Sequence, residues 1–568
     1  KTGTLTQNKM TVTKVYLDGE IKNTDDLSYE NNKIFLDGFI LCNDASIANN
    51  TRIGDPTELA LLDMGDKINL SREGLEKTNP RINEQSFDSA RKLMTTVHRD
   101  QDGKVMSYTK GAMDILLNRC NKIYINGETK DITNEHIEEI NRAATEMAKG
   151  ALRVLALGIK EDDDSASEED LTFVGLVGMI DPPRPEAKDS VKTLRSAGIR
   201  TIMITGDHKD TALAIAKELG IAEDESQCIT GSELNEMTQE QLNEKVCDIR
   251  VFARVSPEHK VMIVKAFKSN GSIVSMTGDG VNDAPSLKSA DIGVAMGITG
   301  TDVAKGASDM VLTDDNFATI EKAVAEGRGI YNNIKKTVLF LLSSNFGEVI
   351  SMFSSIAAGL IAPLQSIHIL WVNLITDSLP ALALGVDPKS KEIMNEKPRD
   401  PNESLFAKGG LIFTVYNGIM IASLTLAAFL WSPVIHLNEA GIPVTLGNIR
   451  DLFNGVLSIP GVDLPDIIRH AQTYAFTTLG VSQLFHAVGM RNYNKSLFQM
   501  SHTDNLAMIG AFSLGLLLQI LVTEVHFLTE VFETSQLSLK EWANLILVSA
   551  VPLLSHEVIV MGKKIFKK

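Results

Sequence analysis

At 568 residues the sequence is too long for one hydrophobic core at roughly 150 residues per domain, and a multidomain protein is expected. Its net charge of -17 argues against a nucleic-acid binder, which needs clustered Lys and Arg against phosphate. Four cysteines (Cys42, Cys120, Cys228 and Cys247) fall in the first half without paired spacing, which indicates reduced thiols in a cytosolic compartment and no disulfide or zinc framework.

The apolar residues are unevenly placed: residues 1–330 read as soluble, whereas 331–568 are dominated by long apolar runs. The chain opens on the polar run Lys1-Thr2-Gly3-Thr4-Leu5-Thr6, unlike the apolar stretch of a signal peptide, and the natural N-terminus is expected elsewhere. Further on, the acidic stretch Glu161 to Asp170 reads as a solvated loop. Arg200 to Ile204 reads as a buried strand ending in Thr205-Gly206-Asp207, with a helical pattern from Thr211 to Leu219. A polar loop between a strand's C-terminal end and a helix N-terminus is where α/β sheets bind phosphate. The arrangement recurs where Ser272 to Met276 runs into Thr277-Gly278-Asp279-Gly280-Val281-Asn282-Asp283. Asp279 and Asp283, four residues apart with glycines around them, can hold Mg²⁺ against a phosphoryl group. Between these loops lies Arg254-Val255-Ser256-Pro257-Glu258-His259-Lys260, where Lys260 can neutralise phosphate charge.

Six membrane spans are predicted, at about 337–362, 364–386, 410–431, 471–489, 505–523 and 542–561. An even number puts Arg328, Lys335 and Lys336 on the side of Lys563, Lys564, Lys567 and Lys568, so the soluble half faces the cytoplasm. In the first span Glu348 follows Asn345 by three residues, and in the second Asn373, Thr376 and Asp377 follow i, i+3, i+4 spacing, with Pro380 just beyond. Carboxylates are costly in lipid, so these oxygens, with the amide of Gln483 in the fourth span, read as a binding site for a hard cation such as Ca²⁺. His368 and His486 stand alone and read as structural.

Lys1 to Thr6, Lys110-Gly111-Ala112, Asp181-Pro182-Pro183-Arg184, Thr205-Gly206-Asp207 and Thr277 to Pro285 stand in the order seen in P-type ATPases, and the whole chain resembles that family. The opening run resembles the tail of its Asp-Lys-Thr-Gly-Thr-Leu-Thr phosphorylation loop, without the aspartate. The resemblance implies a multidomain architecture. An α/β haloacid-dehalogenase-like phosphorylation domain (residues 1–9 and 171–330) would carry an inserted α+β nucleotide-binding domain (10–170), followed by an all-α transmembrane domain of six helices (331–568).

It further implies that the missing Asp takes the γ-phosphate of ATP within the loop Lys1, Thr2, Gly3 and Thr4, with Mg²⁺ held by that Asp, the Thr2 carbonyl and Asp279. Thr205, Gly206, Asp207, Lys260, Asn282 and Asp283 would surround the phosphate. Phosphatases of this fold carry a proton-donating Asp where this chain has Thr2, so the acyl phosphate would persist. Glu58, Phe87, Lys92, Lys110, Gly111, Arg153 and Arg254 would bind ATP, Phe87 stacking on adenine and Arg153 contacting phosphate. Ser89 departs from the calcium-pump pattern, where a phosphate-contacting Arg is common, with Arg91 close by.

Asn345 with Glu348, and Trp371 to Asp377, look like the type II calcium pumps, whereas Gln483 stands where a Glu is usual, leaving one or two ions per cycle open. The function implied is ATP-driven Ca²⁺ transport across a lipid bilayer by alternating access, with proton counter-transport; the Cys-free outer connection 433–467 and the compact length point to a bacterial plasma membrane. A helix continuous from Asn332 to Asn345 would couple the two halves. An upstream half, with four spans and an actuator domain, is expected in the same polypeptide or a companion chain. The alternatives are a pump for Mn²⁺, Na⁺ or H⁺ and, from another class, a membrane-anchored phosphatase.

Overall fold

The computed structural model describes residues 4–7, 9–48, 51–88, 90–501 and 503–566. The chain divides into two compact units, 1–322 and 323–568.

The first unit is built around a nine-stranded sheet. In chain order its strands and a separate hairpin are β1 (Thr11–Leu17), β2 (Glu20–Asn23), the hairpin β3 (Ser46–Ala48) and β4 (Thr51–Ile53), β5 (Arg81–Asp88), β6 (Leu93–Arg99), β7 (Val105–Gly111), β8 (Cys120–Ile125), β9 (Glu128–Asp131), β10 (Arg153–Glu161) and β11 (Leu171–Ile180). The sheet order is β2-β1-β11-β10-β7-β6-β5, with β8 and β9 joined through β11. β11 is buried along almost its whole length, as a strand covered on both faces must be. Its Val174, Val177 and Met179 pack with Phe35, Phe39 and Leu61 of the helices Tyr29–Leu41 and Pro56–Asp66. Its Leu171, Phe173 and Leu176 pack on the other side with Ile140, Ala144 and Met147 of the helix Asn134–Lys149. Because β11 is paired with both β1 and β10, the sheet runs to Ile180, ten residues past the division drawn from the sequence after residue 170.

Two short parallel sheets follow, one ordered Met203–Ile204, Val251–Ala253, Cys228–Thr230 and the other Ser275–Gly278, Ile292–Met296, Met310–Leu312. Ile204 and Val274 pack into the apolar clusters of both, so the two sheets share one interior.

The acidic stretch 161–170 is not wholly solvated. Glu168 is buried at 5% exposure, paired with Arg91 and Arg119 and reached by the Thr95 hydroxyl at 3.3 Å. Two guanidinium groups supply the compensation that burial of a carboxylate demands. Charge density alone could not reveal it.

Among the described residues five helical segments are long and apolar enough to cross a membrane, by length and composition: Phe317–Ala357, which begins six residues before the second unit, and Ser366–Gly385, Gly410–Glu439, Leu506–Glu524 and Leu539–Lys563 within it. The segment expected at 471–489 lies in the helix Leu464–Met490, which is not among the five and is mostly buried. Thr473, Thr477, Thr478, Ser482 and Gln483 are buried along it, which lowers its hydropathy while its neighbours cover it. The 41-residue helix Phe317–Ala357 runs without a break through Asn332 to Asn345. It crosses the helix Gly410–Glu439 at small residues: a Cβ on Gly347 would sit 2.9 Å from Ile421, and one on Gly418 would sit 2.8 Å from Phe346.

At one end of this bundle Asp387, 7% exposed, collects four chain segments. Its Oδ1 accepts from Arg491 Nε and Asn505 Nδ2, both at 2.8 Å, and its Oδ2 accepts from Lys336 Nζ at 3.0 Å. Replacing it strands the buried Arg491 and the partly buried Lys336. Asp387→Ala is expected to cost about 3–5 kcal/mol, read as a lowered thermal midpoint of the detergent-solubilised protein, whereas Asp451→Ala, whose exposed carboxylate meets Arg450 at 4.0 Å, leaves the midpoint unchanged.

Candidate functional sites

The first site gathers at the C-terminal ends of the short parallel sheets. Thr205 follows the strand Met203–Ile204, and its hydroxyl donates to Asp207 Oδ2 at 2.8 Å while accepting from the Asp207 amide at 3.1 Å. The Arg254 amide donates to the Asp207 carbonyl at 3.0 Å, which ties the two loops together, while Arg254 itself is exposed at φ 51°. Gly206 has open space where a Cβ would stand. Ser256 caps the helix Pro257–Ser269, with Pro257 in its first turn, and this sets Lys260 one turn inside it. Lys260 Nζ reaches Asp283 Oδ1 at 2.5 Å.

The loop after Ser275–Gly278 folds around Asp283, whose Oδ2 accepts the amides of Asp279 and Gly280, each at 3.1 Å. A Cβ on Gly278 would sit 2.4 Å from Asp283 Cβ, so glycine is required for this wrap. Burial would raise the Asp283 carboxyl, but the hydrogen bond and charge of Lys260 and the two amides outweigh it and hold it below the ordinary value. Asp279 goes the opposite way, raised by desolvation and then by the Asp283 charge. An exposed carboxylate disfavoured by a neighbouring carboxylate is a place where a divalent cation relieves repulsion, and so the residues fit Mg²⁺. Asn282 is exposed beside them.

Thr4, Leu5 and Thr6 are buried against this region. The Thr6 hydroxyl donates to Asp181 Oδ2 at 2.5 Å, Gln7 N to the Pro182 carbonyl at 3.1 Å, and Arg184 N to the Leu5 carbonyl at 2.9 Å. Thr4 Oγ1 lies 3.7 Å from Met296 Sδ, at the end of the strand Ile292–Met296. The expected motif Asp181 to Arg184 is therefore the clasp of the opening run. Lys1, Thr2, Gly3 and Ser89 lie outside the described residues, as do Lys567 and Lys568 of the expected basic end.

A second site lies on the nine-stranded sheet. Asp55 caps the helix Pro56–Asp66, accepting from Thr57 N at 2.8 Å, and this aims Glu58 at Lys110, whose Nζ lies 2.6 Å from Glu58 Oε1. Arg153 Nη1 donates to Thr57 Oγ1 at 3.1 Å. A Cβ on Gly111 would sit 2.2 Å from the Lys92 carbonyl oxygen, so the exposed Lys92, at φ 55°, presses on Gly111. Phe87, on β5, is 62% exposed, an apolar ring left open to solvent near the paired Asp88 and Leu93. Five of the expected residues are thus brought together, with a free aromatic face beside them. Arg91 is engaged by Glu168 and by the Ser86 carbonyl, so its guanidinium is already committed.

The third site is inside the helices of the second unit. Glu348 is 5% exposed, and its two carboxylate oxygens accept from Asn373 Nδ2 and Gln483 Nε2, each at 3.3 Å. Asp377 is 1% exposed, and neither of its carboxylate oxygens has a hydrogen-bond partner among the described residues; the amide oxygen of Gln483 has none either. Thr376 is 2% exposed. The structure does not bring Asn345 into this group: it is exposed and donates back to the Leu341 carbonyl at 3.0 Å. Residues Val372–Thr376 form a π-helical turn, with the Asp377 amide donating to the Val372 carbonyl at 2.8 Å. Such turns insert one residue into a helix and re-aim its side chains. The i, i+3, i+4 spacing assumed a regular helix and missed it. Pro380 lacks the N–H that would otherwise bond back to residue 376, which was the available signal.

Residues 32–186 match the family described as P-type ATPase, cytoplasmic domain N, and residues 361–561 match Cation transporting ATPase, C-terminus. The chain is 50% identical over 571 residues to Calcium-transporting ATPase 1 of Bacillus cereus, covering 99% of this chain and 63% of that protein. It is 42% identical to a Calcium-transporting ATPase of Bacillus subtilis, over 97% of this chain and 62% of that protein. It is 36% identical to the human Calcium-transporting ATPase type 2C member 1, over 95% and 57%. The chain thus spans about three fifths of the length of these curated relatives.

The Asp283–Lys260 pair carries a pH signature. Because the folded Asp283 binds its proton less tightly than the unfolded one, the contact stabilises above the unfolded value of 3.8 and is lost as pH falls through the lower folded value. Lys260→Met removes the pair and leaves burial opposed only by the two backbone amides, so Asp283 moves upward. Hydrogen exchange across residues 275–290 is expected to show acid-induced opening at higher pH in this variant than in the parent.

Proposed function

Because this chain belongs to the P-type ATPase family, as its two matched regions and its 50% identical relative show, we propose that it supplies the phosphorylating, nucleotide-binding and ion-binding parts of an ATP-driven calcium pump. The observation that carries the reading is Asp377, a carboxylate buried in the helix bundle with both oxygens unpartnered among the described residues and a second buried carboxylate, Glu348, in the same bundle. A charge at the bilayer centre costs at least about 2.5–3.5 kcal/mol. A bound cation repays that cost, and a hard one suits carboxylate, amide and hydroxyl oxygens.

In this reading the short parallel sheets form one haloacid-dehalogenase-like phosphorylation domain, supported by their shared packing at Ile204 and Val274 and by phosphate loops at their strand ends. Asp279 and the Thr2 carbonyl would hold Mg²⁺, which when bound shields the phosphoryl charge; Lys260, now spent on Asp283, stands ready to meet phosphate oxygens. Phe87 would stack on adenine, with Glu58, Lys110 and Arg153 around the nucleotide, and the acceptor aspartate would precede Lys1. The helix Leu464–Met490 is the sixth span: at about 1.5 Å per residue it is roughly 40 Å long, more than the ~30 Å hydrocarbon core, and its polar side chains face other helices.

Cation entry would turn the amides of Asn373 and Gln483, which now point their nitrogens at Glu348, so that their oxygens face the ion. The carboxylates freed when the ion leaves are natural proton acceptors, which supports proton counter-transport. The unbroken helix Phe317–Ala357 is the proposed mechanical link between phosphorylation and ion binding. Four further spans and an actuator domain, in the same polypeptide or a companion chain, would complete the pump.

The test is phosphoenzyme formation from labelled ATP by the full-length protein, titrated with Ca²⁺, Mn²⁺ and Na⁺. Ca²⁺ is expected to promote it at the lowest concentration. Asp377→Asn is expected to lower Ca²⁺-stimulated phosphorylation and vesicle uptake at least about 100-fold, as loss of an essential charged ligand should, while nucleotide binding stays intact. Wild-type Ca²⁺ response in that variant would overturn the proposal.

A further inference from the structure

Near the oxygens around Asp377 stands a side chain, Gln519, that the sequence does not single out. Gln519 lies on Leu506–Glu524, is 1% exposed, and has an amide oxygen without a hydrogen-bond partner among the described residues. Its nitrogen makes only a long contact, 3.5 Å, to Thr477 Oγ1. A buried amide oxygen without a donor is costly, on the order of 1–3 kcal/mol, and asks for an explanation.

The explanation lies in what Gln519 faces. A Cβ built on Gly480 would stand 3.2 Å from Gln519 Oε1 and 3.7 Å from Thr376 Oγ1. The missing side chain of Gly480 therefore leaves a small gap with the Gln519 oxygen on one side and the Thr376 hydroxyl on the other. Thr376 adjoins Asp377 in the chain, and Gln483 lies three residues beyond Gly480 on the same helix. Ca²⁺ takes six to eight oxygens, whereas Asn345 has turned away and the Glu348 oxygens already accept two amides. An unpartnered neutral oxygen beside this group is chemically suited to join it.

We propose that Gln519 is a ligand of the transported cation, its amide oxygen reaching the ion across the gap that Gly480 leaves beside Thr376. The inference rests on the calcium-pump reading above and adds a fourth helix to the cation site. It assigns Gly480 a clearance role, since a methyl group there would fill the gap.

The test compares Gln519→Leu and Gln519→Glu in the full-length protein, reading the Ca²⁺ concentration for half-maximal phosphorylation alongside the Ca²⁺ to Mn²⁺ preference. A ligand predicts that Leu, which keeps the volume and removes the oxygen, raises the half-maximal Ca²⁺ about tenfold and shifts the ion preference. Glu, which keeps the oxygen, would stay within about threefold of the parent or bind more tightly. A packing role predicts the reverse, because Leu satisfies an apolar site and an uncompensated Glu does not. Leu at parental Ca²⁺ affinity, or Glu the more damaging of the two, overturns the proposal. Gly480→Ala is expected to raise the half-maximal Ca²⁺ as well, and an unchanged value there also counts against it. If the parent itself shows no Ca²⁺ dependence, it is the calcium-pump reading that fails.

Discussion

A carboxylate inside an apolar helix bundle is the constraint on which the second unit turns. Asp377 is fully enclosed, and among the described residues neither of its carboxylate oxygens has a hydrogen-bond partner while Glu348 beside it is met by two long amide contacts. In a core selected for stability alone, apolar residues of similar volume would serve better. Around this pair the fold keeps other polar groups buried, including Thr376, Gln483, Gln519 and the threonines of Leu464–Met490, so that the polarity of one helix is explained by the pair it surrounds.

The same logic, with opposite resolution, operates in the first unit. Asp283 is buried too, yet it is saturated by Lys260 and two amides, and Glu168 is saturated by two guanidinium groups. These carboxylates hold loops in shape. Asp279, four residues from Asp283, is the one left in excess, exposed and raised by its neighbour. The contrast separates structural carboxylates from those waiting for a ligand: the former have counted donors, whereas the latter repel each other or have none.

Much of this was legible in the sequence because loops at strand ends carry their chemistry in contiguous residues. Thr205 to Asp207 and Thr277 to Asp283 needed only a strand before them, and the structure places both after strands. Residues brought together from afar were harder. Arg91 and Arg119 meet Glu168 across more than forty residues, and no local pattern announces a buried acid in an acidic run. The segment 471–489 was expected as a span from its apolar run, whereas the helix Leu464–Met490 that contains it carries buried threonines and is not among the five segments apolar enough to cross a membrane. Asn345 was misplaced because helical spacing fixes a face but not what the side chain does there, and it bonds back to its own helix. Gln519 was missed because a single amide in an apolar run reads as helix-to-helix glue. Only the absence of a donor around its oxygen distinguishes it.

The π-helical turn ties these observations together. An α-helical Val372–Thr376 would present Asn373, Thr376 and Asp377 on one stripe, with the Thr376 carbonyl left open by Pro380. The extra residue widens the turn, and Pro380 removes a donor just after it, so side-chain and backbone oxygens can face the same interior. Such a turn costs hydrogen-bond geometry that a regular helix would keep. Its cost is understandable if the segment has a second arrangement, with the cation present, in which those oxygens gain a partner. Asn373 and Gln483 donate to Glu348, while the Asp377 carboxylate oxygens and Gln519 Oε1 have no hydrogen-bond partner among the described residues.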